Sequence, residues 1–235
     1  MHSTGVIVAG GSGLRMKGRV RKQYLELGGM PILGKTLLVF DRCDAVVDMV
    51  LAVPFEDLDF CKQTVIAPLL LKKPIRLAAG GAERQESVFN GLRTAEKMGA
   101  ELVAIHDGVR PLVTETVITR CLHGAMETGA CIPGIPAFDT VKEIDDQGRI
   151  RQTLPRDRMW LAQTPQSFRF DLILAAHEAA RRDGFRGTDD ASLVERLGNP
   201  VMMIPGSRRN IKITTPEDLL LAEALLKSGP SFFQK

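Results

Sequence analysis

The stretch Gly5-Val-Ile-Val-Ala-Gly-Gly-Ser-Gly-Leu-Arg-Met16 decides the fold class, because it joins a short apolar run to a loop rich in glycine. The apolar residues 5–9 are typical of a strand that is buried on both faces. Glycines directly after such a strand let backbone N–H groups approach phosphate oxygens closely, and Arg15 adds a bidentate donor. Open α/β sheets bind nucleotides at such a loop, although a plain glycine turn shares this short pattern.

Strand and helix patterns alternate along the rest of the chain. Uniformly apolar runs predict strands, and apolar residues at helical spacing predict helices. The strands fall at 49–53, 75–79 and 102–106, and the helices at 31–43, 83–98 and 114–128. A last helix has Thr215 as its cap, Pro216 in its first turn, Asp218 at the capping-box position and Gly229 after its end. This alternation predicts an α/β fold, a Rossmann-like three-layer sandwich with a mostly parallel central sheet.

Residues 138–160 interrupt this alternation. Two strand-like pieces around Asp146-Gln147-Gly148 predict a β-hairpin that protrudes from the sandwich. The hairpin is charged and has too few apolar residues to fill a core of its own. It is therefore either a solvated surface hairpin or an arm that packs on a second subunit. Because no internal repeat or low-complexity linker is present, we expect residues 1–235 to form a single domain with this β-arm as an excursion.

Composition excludes several classes of protein. Lys and Arg total 31 and Asp and Glu total 28, and a net charge of +3 is too small for a sequence-independent nucleic-acid binder. No apolar stretch approaches the roughly 18 residues that a membrane span needs. The four cysteines and four histidines show no metal-ligand spacing, and the cysteines are expected to be core residues. With no basic leader or cleavage signature, a cytoplasmic location is expected.

A second phosphate motif competes with the first. Gly29-Met-Pro-Ile-Leu-Gly-Lys-Thr36 matches the P-loop pattern in full. Its central residues are bulky and apolar, however, and Ile32 and Leu33 begin the apolar face of the helix predicted over 31–43. We therefore interpret the match as chance and expect Lys35 to lie within a helix, which leaves a P-loop NTPase as a minor alternative.

Further polar clusters stand at the ends of predicted elements. Lys22 belongs to a basic run after the glycine loop, where it could fold over a triphosphate. Asp107 and Arg110 end a central strand and suit either a substrate hydroxyl or metal site or a structural ion pair. Thr164, Thr188 and Lys212 mark other polar clusters. Each of these is, taken singly, more often structural than functional.

Taken in order, the clusters resemble one family. The set is A-G-G-x-G-x-R-M, K-Q-Y, G-G-x-x-R-x-x-S-V, H-D-x-x-R-P, D-T-V-K, T-P-Q-x-F, T-D-D-A-S and N-I-K-I-T-x-P-x-D. Because of this ordered set, the chain from Val6 to Leu226 resembles the 2-C-methyl-D-erythritol 4-phosphate cytidylyltransferases of the non-mevalonate isoprenoid pathway. Ribitol 5-phosphate cytidylyltransferases share many of these blocks and remain the main alternative, although Asp139-Thr-Val-Lys142 favours the isoprenoid enzyme. A non-catalytic module that binds CTP is a further alternative.

The resemblance implies a nucleotidyl transfer in which the substrate phosphate attacks the α-phosphorus of CTP and pyrophosphate leaves. It assigns Arg15 to the triphosphate, Lys22 to the α-phosphate, Lys212 to the space between the substrates and Arg156 to methylerythritol phosphate. The nucleotide-binding residues it implies are Ala9, Gly10, Gly11, Gly13, Gly80, Gly81 and Ser87, the last three reading cytosine. The residues that the resemblance implies for binding the second substrate are Asp107, Arg110, Thr140, Thr164 and Thr188.

The resemblance also implies a metal ion and a partner. Mg²⁺ is expected to bridge the CTP phosphates with few or no protein ligands. The β-arm is expected to form a homodimer in which Thr140 and Arg156 complete the site of the other subunit. The sequence departs from the common family pattern at Ala82, where an acidic residue is frequent. Base selectivity is unaffected if that position serves cytosine through its backbone N–H, and is in question if it needs a carboxylate.

Overall fold

The computed structural model of the protein describes residues 1–10 and 21–229. Its strands are β1 (Ser3–Val8), β2 (Glu26–Leu27), β3 (Met30–Pro31), β4 (Asp48–Val53), β5 (Ile75–Ala79), β6 (Leu102–Asp107), β7 (Ala130–Pro136), β8 (Lys142–Ile144), β9 (Ile150–Thr153), β10 (Trp160–Ala162), β11 (Gln166–Arg169) and β12 (Met202–Pro205). Its α-helices are α1 (Ile32–Arg42), α2 (Leu58–Phe60), α3 (Arg84–Glu96), α4 (Glu115–Thr128), α5 (Phe170–Arg182), α6 (Asp190–Arg196) and α7 (Pro216–Lys227). The strands and helices predicted from the sequence are confirmed to within about two residues at each end. Among the helices in these ranges, none is long and apolar enough to cross a membrane.

The central sheet explains where a site can form. Its order is β10-β7-β11-β6-β1-β4-β5, with β12 also paired to β7. Strands β5, β4, β1 and β6 are parallel, whereas β11 and β10 run antiparallel to their neighbours. The chain adds β4 and β5 on one side of β1 and then places β6 on the other side. This reversal creates a crevice beyond the carboxyl ends of β1 and β6, where open α/β sheets bind ligands.

Helices cover both faces of the sheet. Along β1, Val6 and Val8 pack with buried residues of α3, α5 and α6 on one face. Between them, Ile7 packs with Leu37 and Phe40 of α1 and with α4 on the other face. All of these side chains are fully or almost fully buried, and each contributes about 1.5–3 kcal/mol to stability. The predicted three-layer sandwich is therefore confirmed, and the four cysteines are buried free thiols as expected.

The segment that precedes the last helix lies at the carboxyl end of the central strand β6. The Thr215 hydroxyl accepts from the Asp218 N–H at 3.3 Å, and the Asp218 carboxylate accepts from the Thr215 N–H at 2.9 Å. The predicted capping box is thus confirmed. Just before it, Ile213 is fully buried and its N–H donates to the Val109 carbonyl at 2.9 Å. This bond fixes the segment that carries Lys212 beside the end of β6.

The apparent P-loop is not a phosphate loop. Helix α1 begins at Ile32, so Lys35 lies within its first turns, as the sequence predicts. The Thr36 hydroxyl, which would bind Mg²⁺ in a P-loop, is buried and lies within hydrogen-bonding distance of the carbonyls of Gly108 and Ile32, at 3.0 and 3.2 Å. The P-loop NTPase alternative has no structural basis.

The predicted hairpin is confirmed as β8 and β9, which pair antiparallel in a small sheet apart from the central one. Its turn is held by the Asp145 carboxylate, which accepts from the backbone N–H groups of Gln147 and Arg149 at 3.0 and 2.9 Å. Gly148 has a φ of +78°, a conformation that favours glycine. Phe138 and Ile150 leave 54% and 62% of their surface exposed, so the arm presents apolar side chains to its surroundings.

Candidate active site

Three loops meet at the crevice beside β1. Ala9 and Gly10 follow β1, Gly80 and Gly81 follow β5, and Asp107 ends β6. A cavity of about 280 Å³ lies between Ala9-Gly10, Asp107 and the residues that directly follow the Gly80-Gly81 turn. It is lined by Val8, Ala9, Gly10, Lys22, Gln23, Ala82, Glu83, Arg84, Ser87, Asp107, Val109 and Lys212. We refer to it as the nucleotide cavity, because the sequence assigns Ala9, Gly10 and Ser87 to a nucleotide; Gly80 and Gly81, assigned likewise, lie in the adjoining turn and are not among its lining residues.

The Ser87 hydroxyl organises one end of the nucleotide cavity. It accepts from the Gly81 N–H and donates to the Glu83 carbonyl, both at 3.0 Å. A Cβ at Gly10 or Gly80 would lie only 3.0 or 3.2 Å from this oxygen, so glycine lets both loops approach it. Because the hydroxyl proton is committed to Glu83, the remaining lone pair of Ser87 can only accept a hydrogen bond.

Ala82 follows the same turn. Its backbone N–H donates to the Glu86 carboxylate at 2.9 Å. A carboxylate therefore does stand beside this position, although it comes from α3 rather than from residue 82. The Ala82 N–H can reach a nucleotide base only if Glu86 moves aside.

Lys22 lies in a short turn that side-chain hydrogen bonds stabilise on both sides. On one side of the 3₁₀ turn Lys22–Tyr24, the Gln23 side-chain amide donates to the Ala9 carbonyl at 2.8 Å. On its other side, the Tyr24 hydroxyl donates to Asp57 at 2.9 Å. These bonds tie Lys22 to the end of β1, where its side chain lines the nucleotide cavity.

Asp107 is surrounded by cations. Arg84 Nε donates to Oδ1 at 2.9 Å, Lys212 Nζ lies 2.9 Å from Oδ2, and Arg110 Nε lies 3.6 Å from Oδ2. Burial alone would raise the pKa of this carboxyl, but Arg84, Lys212 and Arg110 together hold it well below its usual range. Asp107 is therefore ionised at neutral pH. The structural ion pair considered for Asp107 and Arg110 exists, within this larger cluster.

A second cavity, of about 290 Å³, adjoins the first. It is lined by Arg84, Asp107, Arg110, Ala162, Gln163, Thr164, Gln166, Thr188, Asp189 and Lys212. We call it the acceptor cavity. Four of the residues that the sequence assigned to the second substrate come together here, whereas three charged residues, Arg84, Asp107 and Lys212, line both cavities.

Thr164 has a structural role in addition to the one expected. His106 Nε2 lies 3.1 Å from the Arg110 carbonyl, which can only accept, so Nε2 carries the ring proton. Nδ1 then accepts from the Thr164 hydroxyl at 3.0 Å, and that oxygen accepts from the Asp107 N–H at 3.2 Å. Burial lowers the pKa of His106 to about 4, which keeps the ring neutral. The Thr164 hydroxyl thus joins the ends of β6 and β11 and keeps one lone pair for a substrate.

Several predicted site residues lie elsewhere. Thr140 and Arg156 belong to the β-arm, where an Arg156 N–H donates to the Phe138 carbonyl at 3.1 Å. Neither residue is among those that line the two cavities within the described part of the chain. Gly11, Gly13 and Arg15 lie outside the described residues.

Sequence reasoning did not assign roles to Arg84, Gln166 and Asp190. Arg84 NH2 lies 2.8 Å from Asp190 Oδ2. The Gln166 side-chain oxygen accepts from the N–H groups of Asp190 and Ala191, both at 3.0 Å, and so holds the start of α6. A signal for Arg84 was present, because it is the arginine of G-G-x-x-R and directly follows the glycine turn after β5.

Two adjoining cavities that share charged residues suit an enzyme that joins a nucleotide to a second anionic molecule. The fold and this arrangement define the class of the protein as a nucleotidyltransferase. Residues 4–228 match the family model described as 2-C-methyl-D-erythritol 4-phosphate cytidylyltransferase. The chain belongs to this family.

Individual relatives agree over nearly the whole chain. The 2-C-methyl-D-erythritol 4-phosphate cytidylyltransferase of Syntrophus aciditrophicus is 50% identical over 222 residues, 94% of each chain. That of Geobacter metallireducens is 49% identical over 94% of this chain and 96% of its own. The crystal structure of 4-diphosphocytidyl-2C-methyl-D-erythritol synthase from Anaerococcus prevotii is similar with a TM-score of 0.84, at 35% identity over 96% of each chain. These relatives favour neither the ribitol phosphate enzyme nor a P-loop NTPase.

Proposed function

We propose that the protein transfers a cytidylyl group from CTP to 2-C-methyl-D-erythritol 4-phosphate, giving 4-diphosphocytidyl-2-C-methyl-D-erythritol and pyrophosphate. The observation that carries this proposal is the wall of Arg84, Asp107 and Lys212 between the nucleotide and acceptor cavities. A triphosphate in one cavity and a sugar-alcohol phosphate in the other would meet at this wall. Family membership supplies the identity of the two substrates.

The chemistry needs charge stabilisation rather than a covalent nucleophile. A phosphate oxygen of the acceptor forms the new bond to the α-phosphorus while the bond from that phosphorus to the β-phosphate oxygen breaks. Two anions must be held in line, and the charge that builds up on the transferring group must be balanced. Lys22 lines the nucleotide cavity and Lys212 lines both, and these two lysines are proposed to balance that charge. Arg15, outside the described residues, is proposed to bind the triphosphate.

Cytosine recognition is proposed to depend on Ser87. Because its proton is donated to the Glu83 carbonyl, its oxygen can accept from the cytosine amino group but cannot donate to the uracil carbonyl. Gly80 and Gly81 let the backbone approach the base closely at the same turn. This arrangement would select CTP over UTP.

Mg²⁺ is proposed to arrive with the triphosphate. Both oxygens of Asp107 are already engaged by cations, which makes this carboxylate a poor direct ligand. In the described ranges, no group of three or more His, Cys, Asp or Glu side chains is arranged to hold a metal ion. Phosphate oxygens would therefore supply the ligands, and the ion would neutralise part of the triphosphate charge.

The arm is proposed to complete the acceptor cavity of a second subunit. Thr140 and Arg156 lie outside both cavities of their own chain, and the arm exposes Phe138, Ile144 and Ile150. Packing against another copy would cover these apolar groups. In a two-fold dimer the arms exchange reciprocally, so Arg156 of the partner subunit would bind the methylerythritol phosphate.

Pyrophosphate release tests the proposed function. The protein is incubated with CTP and Mg²⁺ together with either methylerythritol phosphate or ribitol 5-phosphate. We expect release with methylerythritol phosphate and little with ribitol 5-phosphate. Release with ribitol phosphate alone would support the alternative transferase, and no release with either would leave only a CTP-binding module.

A further inference from the structure

Arg84 links two buried carboxylates at the wall between the cavities. Its Nε donates to Asp107 at the end of β6, and its NH2 lies 2.8 Å from Asp190 at the start of α6. The side chain is 29% exposed, whereas Asp107 and Asp190 are 7% and 1% exposed. One guanidinium therefore joins α3, β6 and α6 from a position that borders both cavities.

The far end of this link is itself fixed. Asp190 Oδ1 lies 3.2 Å from Nε2 of the fully buried His177 of α5. The Asp190 backbone N–H is held by Gln166 of β11 at 3.0 Å. Asp190 is thus an anchor that cannot follow Arg84, and Arg84 in turn holds one oxygen of Asp107 in place.

Arg84 also affects the charge that Lys212 presents. Asp107 offers Oδ1 to Arg84 and Oδ2 to Lys212, so its negative charge is shared between them. The paired cluster of Arg84, Arg110, Lys212, Asp107 and Asp190 carries three positive and two negative charges. Without Arg84, Asp107 Oδ1 would lose its hydrogen bond, and the negative charge of Asp107 would be shared only between Lys212 and Arg110, which would neutralise more of the Lys212 ammonium.

We propose that Arg84 is a positioning residue for the transfer reaction, which acts by holding Asp107 so that Lys212 keeps its place and its charge between the two substrates. The inference rests on the proposed function and deepens it. It gives a role to a residue that borders both cavities and whose guanidinium lies against two buried carboxylates. A guanidinium suits this role, because its Nε and NH2 can each lie against a different carboxylate, which a single ammonium does less well.

The test is a double-mutant cycle in the full-length protein, read by pyrophosphate release. The variants are Arg84→Gln, Arg84→Lys, Lys212→Gln and the combination of Arg84→Gln with Lys212→Gln. Arg93→Gln is the matched control, since Arg93 lies on the same helix but pairs at the surface with Glu96 at 2.9 Å. Circular dichroism and thermal melting of each variant establish that the fold is retained.

Arg84→Gln is expected to lower kcat about 10²-fold, the cost of a small misplacement of reacting groups, while KM for each substrate changes less than about threefold. Arg84→Lys should recover part of kcat. In the Lys212→Gln background, the further loss from Arg84→Gln should be less than about threefold, because the two residues act as one unit.

Other results would overturn the inference. Losses that multiply in the double variant would mean that Arg84 does not act through Lys212. A rise in KM with kcat unchanged would make it a binding residue, and kcat within about twofold of wild type would give it no role. If Arg84→Gln does not fold, the same cycle is run with Arg84→Lys. An inactive wild-type protein would refute the proposed function itself, whereas an active wild type beside an equally active Arg84→Gln refutes only this inference.

Discussion

Lys212 Nζ lies 2.9 Å from Asp107 Oδ2, and this ion pair stands in the wall that the nucleotide and acceptor cavities share. The two residues reach it from distant parts of the chain, Asp107 at the end of β6 and Lys212 from the segment before α7. Because Asp107 is also held by Arg84, its negative charge is shared between the two cations. In the proposed reaction, Lys212 would lie between the two substrates.

Replacement of either lysine should abolish most of the activity. Lys22→Ala and Lys212→Ala are each expected to reduce turnover about 10²–10³-fold, the usual cost of losing one contact to developing charge. Loss of Lys212 should lower the free energy of unfolding without preventing folding, because Arg84 and Arg110 still pair with the buried Asp107. Steady-state pyrophosphate release and thermal melting measure both effects. Near-normal turnover in a well-folded variant would refute the assignment of that lysine.

Lys35 provides the matched control. It is also a lysine close to a glycine-rich motif, but it lies within α1. Lys35→Ala is expected to leave kcat within about threefold of wild type, as for a surface substitution away from the site. A collapse of activity would restore the P-loop interpretation.

Base selectivity should depend on the Ser87 hydroxyl. We expect UTP to be used at least about tenfold less efficiently than CTP, since uracil leaves polar groups unpaired in the pocket. Ser87→Ala should bring the ratio of kcat/KM for CTP to kcat/KM for UTP closer to one. Thr94→Val serves as the control, because the Thr94 hydroxyl also bonds to a backbone carbonyl four residues earlier on α3. Equal use of CTP and UTP by the wild type would show that the base pocket is misassigned, with Ala82 the first position to re-examine.

The sequence predicted those features that depend on local patterns. The capping box of Thr215 and Asp218 is a short-range motif, and the strands with uniformly buried side chains have a clear apolar signature. Strands β10, β11 and β12 are only three or four residues long and are either exposed or polar in sequence, so they lack such a signature. The link from Arg84 to Asp190 was also not predictable, because it joins residues that only the tertiary fold brings together. The sequence assigned Thr164 to substrate binding. It did not predict that the Thr164 hydroxyl also bonds to His106 and to the backbone of Asp107 and so joins β6 to β11.

The free energy of unfolding should decrease as the pH is lowered, because of His106. Burial lowers its pKa from 6.5 to about 4, so the folded protein keeps the ring neutral while the unfolded chain takes up a proton. His106 therefore has no effect on stability well above its unfolded pKa and costs up to about 3 kcal/mol as the pH falls to about 4. Urea unfolding of wild type and His106→Gln across this range measures the difference. Parallel pH profiles for the two proteins would contradict a buried neutral imidazole.

The arm should act on the partner's site. Arg156→Ala and Lys22→Ala are each expected to be inactive alone, and co-expression of the two should form mixed dimers. If the arm acts in trans, one site of each mixed dimer joins an intact body to an intact arm and recovers activity. The other site carries both lesions. Mixed dimers should thus regain about half of the wild-type activity, measured after tandem-tag purification.

The same experiment has a clear negative outcome. If the arm serves its own chain, every site of a mixed dimer holds one lesion and the preparation stays inactive. Verified mixed dimers without recovery would rule out the shared site. A monomeric wild-type protein in sedimentation analysis would do the same.

The most direct test of the proposed reaction is to identify its products. CTP, Mg²⁺ and methylerythritol phosphate are incubated with the protein, and the mixture is followed by ³¹P NMR. Attack at the α-phosphorus predicts that pyrophosphate and a new cytidine diphosphate diester appear together in equal amounts, and that neither forms without methylerythritol phosphate. Formation of CDP and inorganic phosphate, or unchanged CTP, would contradict the account.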